Sequence, residues 1–243
     1  MKLHILGCNG PFPAAHGACS GYLIVQGEAR VLMECGPGVL GRLMAVSDPA
    51  YLTGILLSHG HADHTSDLLA LRYYLDIRRQ GSSLAPLKVY VPWDDTSPVL
   101  NALKEAEAFE MHWIRPGDEV QLGSLSIQCG PARHPVPAVS FRMSGLAYTG
   151  DTNTCTEQKD FFQNAQVLLA DGCLTQNMWR ESAPHMGAVQ AAMLAKDAFV
   201  ERLVLTHLRP DVDEGTLLKE AAVLFPNTSL ARAGDIIHVE GGA

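Results

Sequence analysis

Seven residues, Ser58-His59-Gly60-His61-Ala62-Asp63-His64, hold three imidazoles and a carboxylate, a density that no other stretch of the 243-residue chain approaches. The run before them, Gly54-Ile55-Leu56-Leu57, is apolar and opens on glycine, as a short buried strand does. Thr65 and Ser66 follow as helix-capping residues, and Leu68, Leu69, Leu71 and Leu75 repeat at helical spacing. The cluster therefore falls on a strand-to-helix turn, above the end of a sheet. His59 and His61 stand two apart, so in an extended segment they point to one side and can grip one metal ion. Asp63 and His64 come as the chain turns into the helix, where they can face a second ion. Neutral imidazole with carboxylate suits zinc, and the same donors serve iron or manganese. A polar loop of solvated histidines is the bland alternative, and the spacing after a strand weighs against it.

A chain of this length can bury a sizeable core and fits one large domain or two small ones. Its composition, 47% hydrophobic and 18% charged, is that of an ordinary globular protein. A net charge of −8 argues against a large nucleic-acid footprint, which needs basic clustering. Small anionic substrates stay open, because bound cations would supply positive charge of their own. Cys8, Cys19, Cys35, Cys129, Cys155 and Cys173 are scattered with no C-x-x-C pair, so reduced thiols and a cytoplasmic location are expected. Ile5-Leu6-Gly7-Cys8 resembles a lipoprotein cleavage site only superficially, since residues 1–6 are too short for a signal peptide. No stretch has the length of a membrane span, so no membrane partner is expected.

Along the chain, strands are expected at 2–6, 21–25, 30–34, 87–91, 111–115, 119–122, 124–129, 139–143, 146–148, 166–170 and 202–207, with shorter ones near 229–230 and 236–239. Helices are expected at 39–45, from the central motif to about 79, and at 96–109, 187–198 and 214–224. Gly7-Cys8-Asn9-Gly10-Pro11-Phe12-Pro13 reads as a rigid loop punctuated by glycine and proline.

The His-x-His-x-Asp-His spacing at 59–64 resembles the metallo-β-lactamase-fold hydrolases. That resemblance demands three later ligands: a histidine, an aspartate and a final histidine. Arg133-His134-Pro135-Val136-Pro137, Tyr148-Thr149-Gly150-Asp151-Thr152 and Leu205-Thr206-His207-Leu208 match those motifs in order. The opening Gly/Pro loop, Ser20-Gly21-Tyr22-Leu23 and an acid before Cys35-Gly36 resemble the ribonuclease Z-like branch in particular. That branch usually has aspartate where this chain has Glu34, a change that touches the hydrogen bonding behind the ligands and leaves the ligand set alone. The resemblance spans essentially the whole chain and implies an α/β fold, the four-layered αββα sandwich.

What it implies for chemistry is a pair of divalent metals, zinc foremost. His59, His61 and His134 would hold one, Asp63, His64 and His207 the other, and Asp151 would bridge. Such ions sit about 3.5–4 Å apart and lower the pKa of a shared water from about 15.7 to roughly 7. Asp63 and His185 are the residues expected to serve the reaction itself. A histidine at the position of His185, before an Ala-rich helix, contacts the scissile phosphate and protonates the leaving oxygen in the ribonuclease Z-like branch. Arg209 and Asn9, with the 7–10 backbone amides, are candidates for substrate binding, and Arg133 and Arg142 are alternatives. His16 is a further pocket candidate, whereas His4, His112 and His238 lie outside any motif. Ribonuclease Z carries a long arm for tRNA, and the stretch from Gln166 to His185 is only twenty residues here, with no basic extension. The expected substrate is accordingly a small phosphodiester, a cyclic nucleotide or short oligonucleotide, rather than tRNA. A lactonase, thioesterase or other carbonyl-directed hydrolase uses the same ligands, and a metal-holding module without turnover is a third reading. Homodimers are frequent among such relatives and are compatible with this chain.

Overall fold

A computed structural model describes residues 1–94 and 96–240 of the chain. The first half runs β1 (Lys2–Gly7), β2 (Gly21–Gln26), β3 (Ala29–Met33), α1 (Val39–Val46), β4 (Gly54–Leu56), α2 (Ala62–Thr65), α3 (Leu68–Arg79), β5 (Leu87–Pro92), α4 (Pro98–Leu103) and β6 (Phe109–Ile114). The second runs β7 (Glu119–Leu122), β8 (Leu125–Gly130), β9 (Ser140–Met143), β10 (Leu146–Tyr148), α5 (Gln158–Phe161), β11 (Val167–Asp171), α6 (Ala188–Asp197), β12 (Arg202–Thr206), α7 (Glu214–Leu224), β13 (Thr228–Leu230) and β14 (Ile236–His238).

Two seven-stranded sheets result, ordered β14-β1-β2-β3-β4-β5-β6 and β13-β12-β11-β10-β9-β8-β7. Each is mixed. Strands β3 to β6 are parallel, as are β10 to β13. Period-2 alternation sorts the side chains into layers: Tyr22 and Ile24 of β2 face the opposite sheet, and Leu23 faces the helices. Val31, Phe141, Tyr148 and Leu169 meet in the inter-sheet core. Leu43, Leu71 and Leu100 bring α1, α3 and α4 onto the first sheet, and Ala191, Ala195 and Leu217 bring α6 and α7 onto the second. This is the expected αββα sandwich. Because parallel strands enter from one side, the carboxyl ends of β4, β10, β11 and β12 can open at one edge, where α/β sheets place their ligands.

Two local expectations are corrected. The helix expected at 96–109 stops at Leu103, and Phe109 instead begins β6, in register with Leu87. Leu100, Leu103, Ala106 and Phe109 mimic a helical stripe, but a turn in which Phe109 N–H donates to Ala106 delivers the last of them to the sheet. Thr65 and Ser66 do not open the helix that follows, whose N-cap is Asp67; Ser66 instead closes α2 as its C-cap. Their hydroxyls donate back to the carbonyls of His61 and Ala62, and His61 itself begins α2. All six cysteines are free, and among the described residues no helix is long and apolar enough to cross a membrane.

Tyr22 joins the sheets beneath the site. Its fully buried hydroxyl lies 2.6 Å from Thr206 Oγ1, and its ring tilts against Tyr148 at 5.4 Å. Tyr22→Phe strands the Thr206 hydroxyl in the core and should cost about 1–2 kcal/mol. Urea unfolding should report this as a lower midpoint with an unchanged slope.

Candidate metal centre

The strand β4 ends at Leu56, and the chain turns through Ser58 and His59 into α2, so the first two imidazoles stand at a sheet edge. His59 Nε2 lies 3.0 Å from His61 Nδ1, and His134 Nε2 reaches the same His61 atom at 3.1 Å. His134 arrives from the loop after β8, 73 residues along the chain from His61. Three imidazole nitrogens thus converge at about the spacing of ligands on a tetrahedral cation, whose Zn–N bonds are about 2.0–2.1 Å.

A second group gathers Asp63, His64, Asp151 and His207. His207 Nε2 sits 3.1 Å from Asp63 Oδ2 and 3.2 Å from Asp151 Oδ2, and His64 Nε2 sits 3.2 Å from Asp151 Oδ1. The Asp151 carboxylate also approaches His59 Nε2 at 3.8 Å, so it stands between the groups. The residues fit divalent cations on their own chemistry. His64 Nε2 and Asp151 Oδ1 are buried and make no hydrogen bond, and deeply buried atoms of that kind are rarely left orphaned.

Other residues fix the outer nitrogens. Ser58 Oγ is 3.0 Å from His59 Nδ1, and His134 Nδ1 is 3.2 Å from the Pro184 carbonyl. Glu34 is fully buried with φ +64, a left-handed conformation that non-glycine residues rarely adopt. Its Oε1 accepts from Ser58 N–H at 3.0 Å and its Oε2 lies 3.4 Å from His64 Nδ1, so the longer side chain serves both neighbours. His207 is also left-handed, at φ +55. Such strain is tolerated where surrounding contacts over-determine it, commonly at functional sites.

Charge follows the same division. Burial lowers the pKa of His59 and of His134 and so favours their neutral, ligating forms. Burial also opposes a charge on His64, but the carboxylates of Asp151 and Glu34 outweigh it and raise its pKa. Burial would raise Asp151, and the His207 and His64 imidazoles overcome that and lower it. The second group therefore draws positive charge to itself.

His185 stands beside both groups, its ring 5.0 Å from His207 and 5.5 Å from His134. Its Nδ1 is 2.8 Å from Asp171 Oδ2. Burial alone would lower its pKa, and the Asp171 carboxylate raises it to about 9. No motif of the sequence marks Asp171; its place beside the site follows from the parallel pairing of β11 and β12, which sets Asp171 in register with Thr206, immediately before His207.

The residues proposed for substrate binding are otherwise engaged. Arg209 forks onto Asp211 at 2.6 and 3.0 Å. Asn9 braces its loop, donating to the Leu208 carbonyl and accepting from Ala14 N–H. Arg133 donates to the carbonyls of Thr154 and Glu181, and Arg142 to that of Phe161. The Cys8, Asn9 and Gly10 amides donate to the Ala18 and Leu208 carbonyls and form no anion nest, a correction to the expectation for that loop. His16 is exposed.

Comparison with known proteins agrees with this geometry. Residues 29–208 match the sequence profile of the beta-lactamase superfamily domain. The probable metallo-hydrolase YhfI of Bacillus subtilis is 28% identical over 248 residues, covering 96% of this chain and 98% of that one. Its crystal structure, described as a metallo-beta-lactamase fold protein, superposes with a TM-score of 0.89 over 97% of this chain and 98% of its own. The ribonuclease Z of Methanopyrus kandleri is 25% identical over 278 residues, covering 98% of each. A diphosphatase from the PhnP family shares the fold, with a TM-score of 0.78 at 17% identity over 99% of this chain and 98% of that one.

A β-carbon on Gly10 would fall 1.9 Å from His207 Nε2 and 2.1 Å from its Cδ2. Gly10→Ala must therefore push this ring off the second group. Zinc affinity measured by competition with a chromophoric chelator should weaken about 10- to 100-fold, as when ligand-orienting contacts are lost. The far-ultraviolet circular dichroism should be unchanged.

Proposed function

The chain belongs to the beta-lactamase superfamily, and on that premise we propose that it is a phosphodiesterase of the ribonuclease Z-like branch of metal-dependent hydrolases. Its substrates would be small phosphodiesters, a cyclic nucleotide or short oligonucleotide. We read the 243 residues as one hydrolase domain. His59, His61 and His134 would hold one divalent cation, Asp63, His64 and His207 a second, and Asp151 would bridge them, with zinc suited to the donors. When bound, such a pair supplies Lewis acidity and a water acidified enough to attack near neutral pH.

The observation that carries the reading is the placing of His185. With Nδ1 facing Asp171, Nε2 carries a proton in the charged imidazole, the form that the Asp171 carboxylate favours, and the ring is flanked by His134 and His207. A proton held there suits an alkoxide leaving from phosphorus, which must be protonated as the P–O bond breaks. Asp63 borders the same opening and would take up the proton given off by the attacking water. Positive charge on His185 also favours an anionic diester in the ground state. The names of two proteins of the same fold, a ribonuclease and a diphosphatase, point to P–O bonds as well. Against tRNA stand the net charge of −8 and the short, braced segment before His185, where Asn153 Nδ2 reaches the carbonyls of Arg180, Glu181 and Ala183. Six free thiols fit a reducing compartment such as the cytoplasm.

His185→Ala should lower kcat on bis(4-nitrophenyl) phosphate about 10²- to 10⁴-fold with zinc content unchanged. Lactone or thioester hydrolysis that survives this change while phosphodiester turnover is absent throughout would move the protein to the carbonyl-directed class.

Asp171→Asn gives a second check through pH. His185 must be protonated to act as an acid, so activity falls as pH rises through its pKa, which Asp171 holds near about 9. Removing the carboxylate charge lowers that pKa. The alkaline limb of the kcat profile should move to lower pH, and an unmoved limb would deny His185 the role of acid.

A further inference from the structure

Between β1 and β2 the chain forms a loop over residues 8–20 that lies against His207. Gly10 touches the ring edge carrying Nε2, the atom nearest Asp63 and Asp151. Immediately after it, Pro11, Phe12 and Pro13 are all exposed, and Phe12 leaves 47% of its surface to solvent. A single exposed phenylalanine is ordinarily unremarked. Here the loop is held from both ends. Gly10 N–H donates to the Leu208 carbonyl at 3.2 Å, and Leu208 N–H donates to that of Cys8 at 2.7 Å. Asn9 ties Leu208 to Ala14, Gly17 N–H donates to Ala14 at 2.8 Å, and Arg42 grips the His16 carbonyl. Leu208 follows His207 directly, so the loop and the second group are one hydrogen-bonded unit. The aromatic ring is thus exposed to solvent between two prolines, two residues beyond Gly10, on a loop tied by hydrogen bonds to the segment after His207.

We propose that Phe12 is a stacking surface for a nucleobase carried by the substrate next to its scissile phosphate. The inference rests on the phosphodiesterase reading and narrows it to nucleotidyl esters. Every base presents a π-face, and a phenylalanine has only two side-chain torsions to fix on stacking. The charged alternatives are spent elsewhere: Arg133, Arg142 and Arg209 are bound to carbonyls or to Asp211. Recognition of the organic part of the substrate then falls to apolar contact, which the Pro11-Phe12-Pro13 tip supplies.

The test compares the zinc-loaded wild type, Phe12→Ala and Phe12→Trp on two diesters with the same leaving group, 4-nitrophenyl thymidine 5′-phosphate and ethyl 4-nitrophenyl phosphate. Any contact with the nitrophenyl ring cancels in the ratio of the two kcat/KM values. In Phe12→Ala that ratio should fall about 5- to 100-fold, the range of one base–aromatic stack, through KM for the thymidine ester. Phe12→Trp should restore it. Equal losses on both diesters, or a loss confined to kcat, would overturn the stacking role while leaving the phosphodiesterase reading intact. A wild type that cleaves neither diester would overturn that reading itself, and the stacking proposal with it.

Discussion

The structure depends on one buried carboxylate. Asp151 is nearly inaccessible, lies 3.2 Å from both His64 and His207, and comes within 3.8 Å of His59. An isolated carboxylate in such a place would be prohibitively costly, so its surroundings must be cationic or metal-bearing. The fold meets that demand by bringing elements of both sheets to one edge. Asp151 and His207 follow β10 and β12 of the second sheet, while His59 to His64 follow β4 of the first. Neither half of the chain assembles the group alone. The inter-sheet core, with the Tyr22–Thr206 contact beneath the site, therefore sets the position of the centre as well as the stability of the sandwich.

Close approach is the second constraint. A β-carbon on Gly36 would fall 1.9 Å from the Asp63 carbonyl, and one on Gly10 would enter the His207 ring. Gly150 adopts φ +60 against Ser58, which lets the strand-end turn deliver Asp151 beneath the imidazoles. Gly10 and Gly36 thus share a physical cause. Backbone must pass the ligands at contact distance.

These constraints explain what was legible in the sequence. The run from His59 to His64 is dense enough to be read locally, and His134, Asp151 and His207 each follow a strand in the order that the resemblance demands. Strand alternation and glycine punctuation gave nearly all of the sheet elements. Asp171 escaped because its role depends on the register of β11 against β12 and on a loop bringing His185 to 2.8 Å, neither of which leaves a local pattern. The 96–109 segment escaped for the converse reason. Its apolar residues have helical spacing, but Phe109, Met111 and Trp113 also alternate as a strand does, and pairing with β5 decided between the two. The arginines illustrate the same limit, since a guanidinium that looks free in a sequence can be taken up by carbonyls many residues away. Arg133 is held by Thr154 and Glu181 in this way.

That last point bears on how selectivity can arise. With a net charge of −8 and its nearby arginines occupied, the rim offers little field to draw in an anion. On the phosphodiester reading, attraction for phosphate must then come from the centre itself: the cations it is built to hold, and the protonated His185 that Asp171 sustains. Such attraction is common to every phosphodiester and cannot distinguish one from another. Discrimination then falls to groups that meet the organic substituents, and the Pro11-Phe12-Pro13 tip of the loop beside His207 is exposed and apolar. The acidic surface contributes in the opposite sense, by disfavouring long polyanions whose further phosphates would lie beyond the reach of the centre. On the stacking proposal, bond cleavage falls to the buried ligands and substrate choice to the hydrogen-bonded loop beside His207.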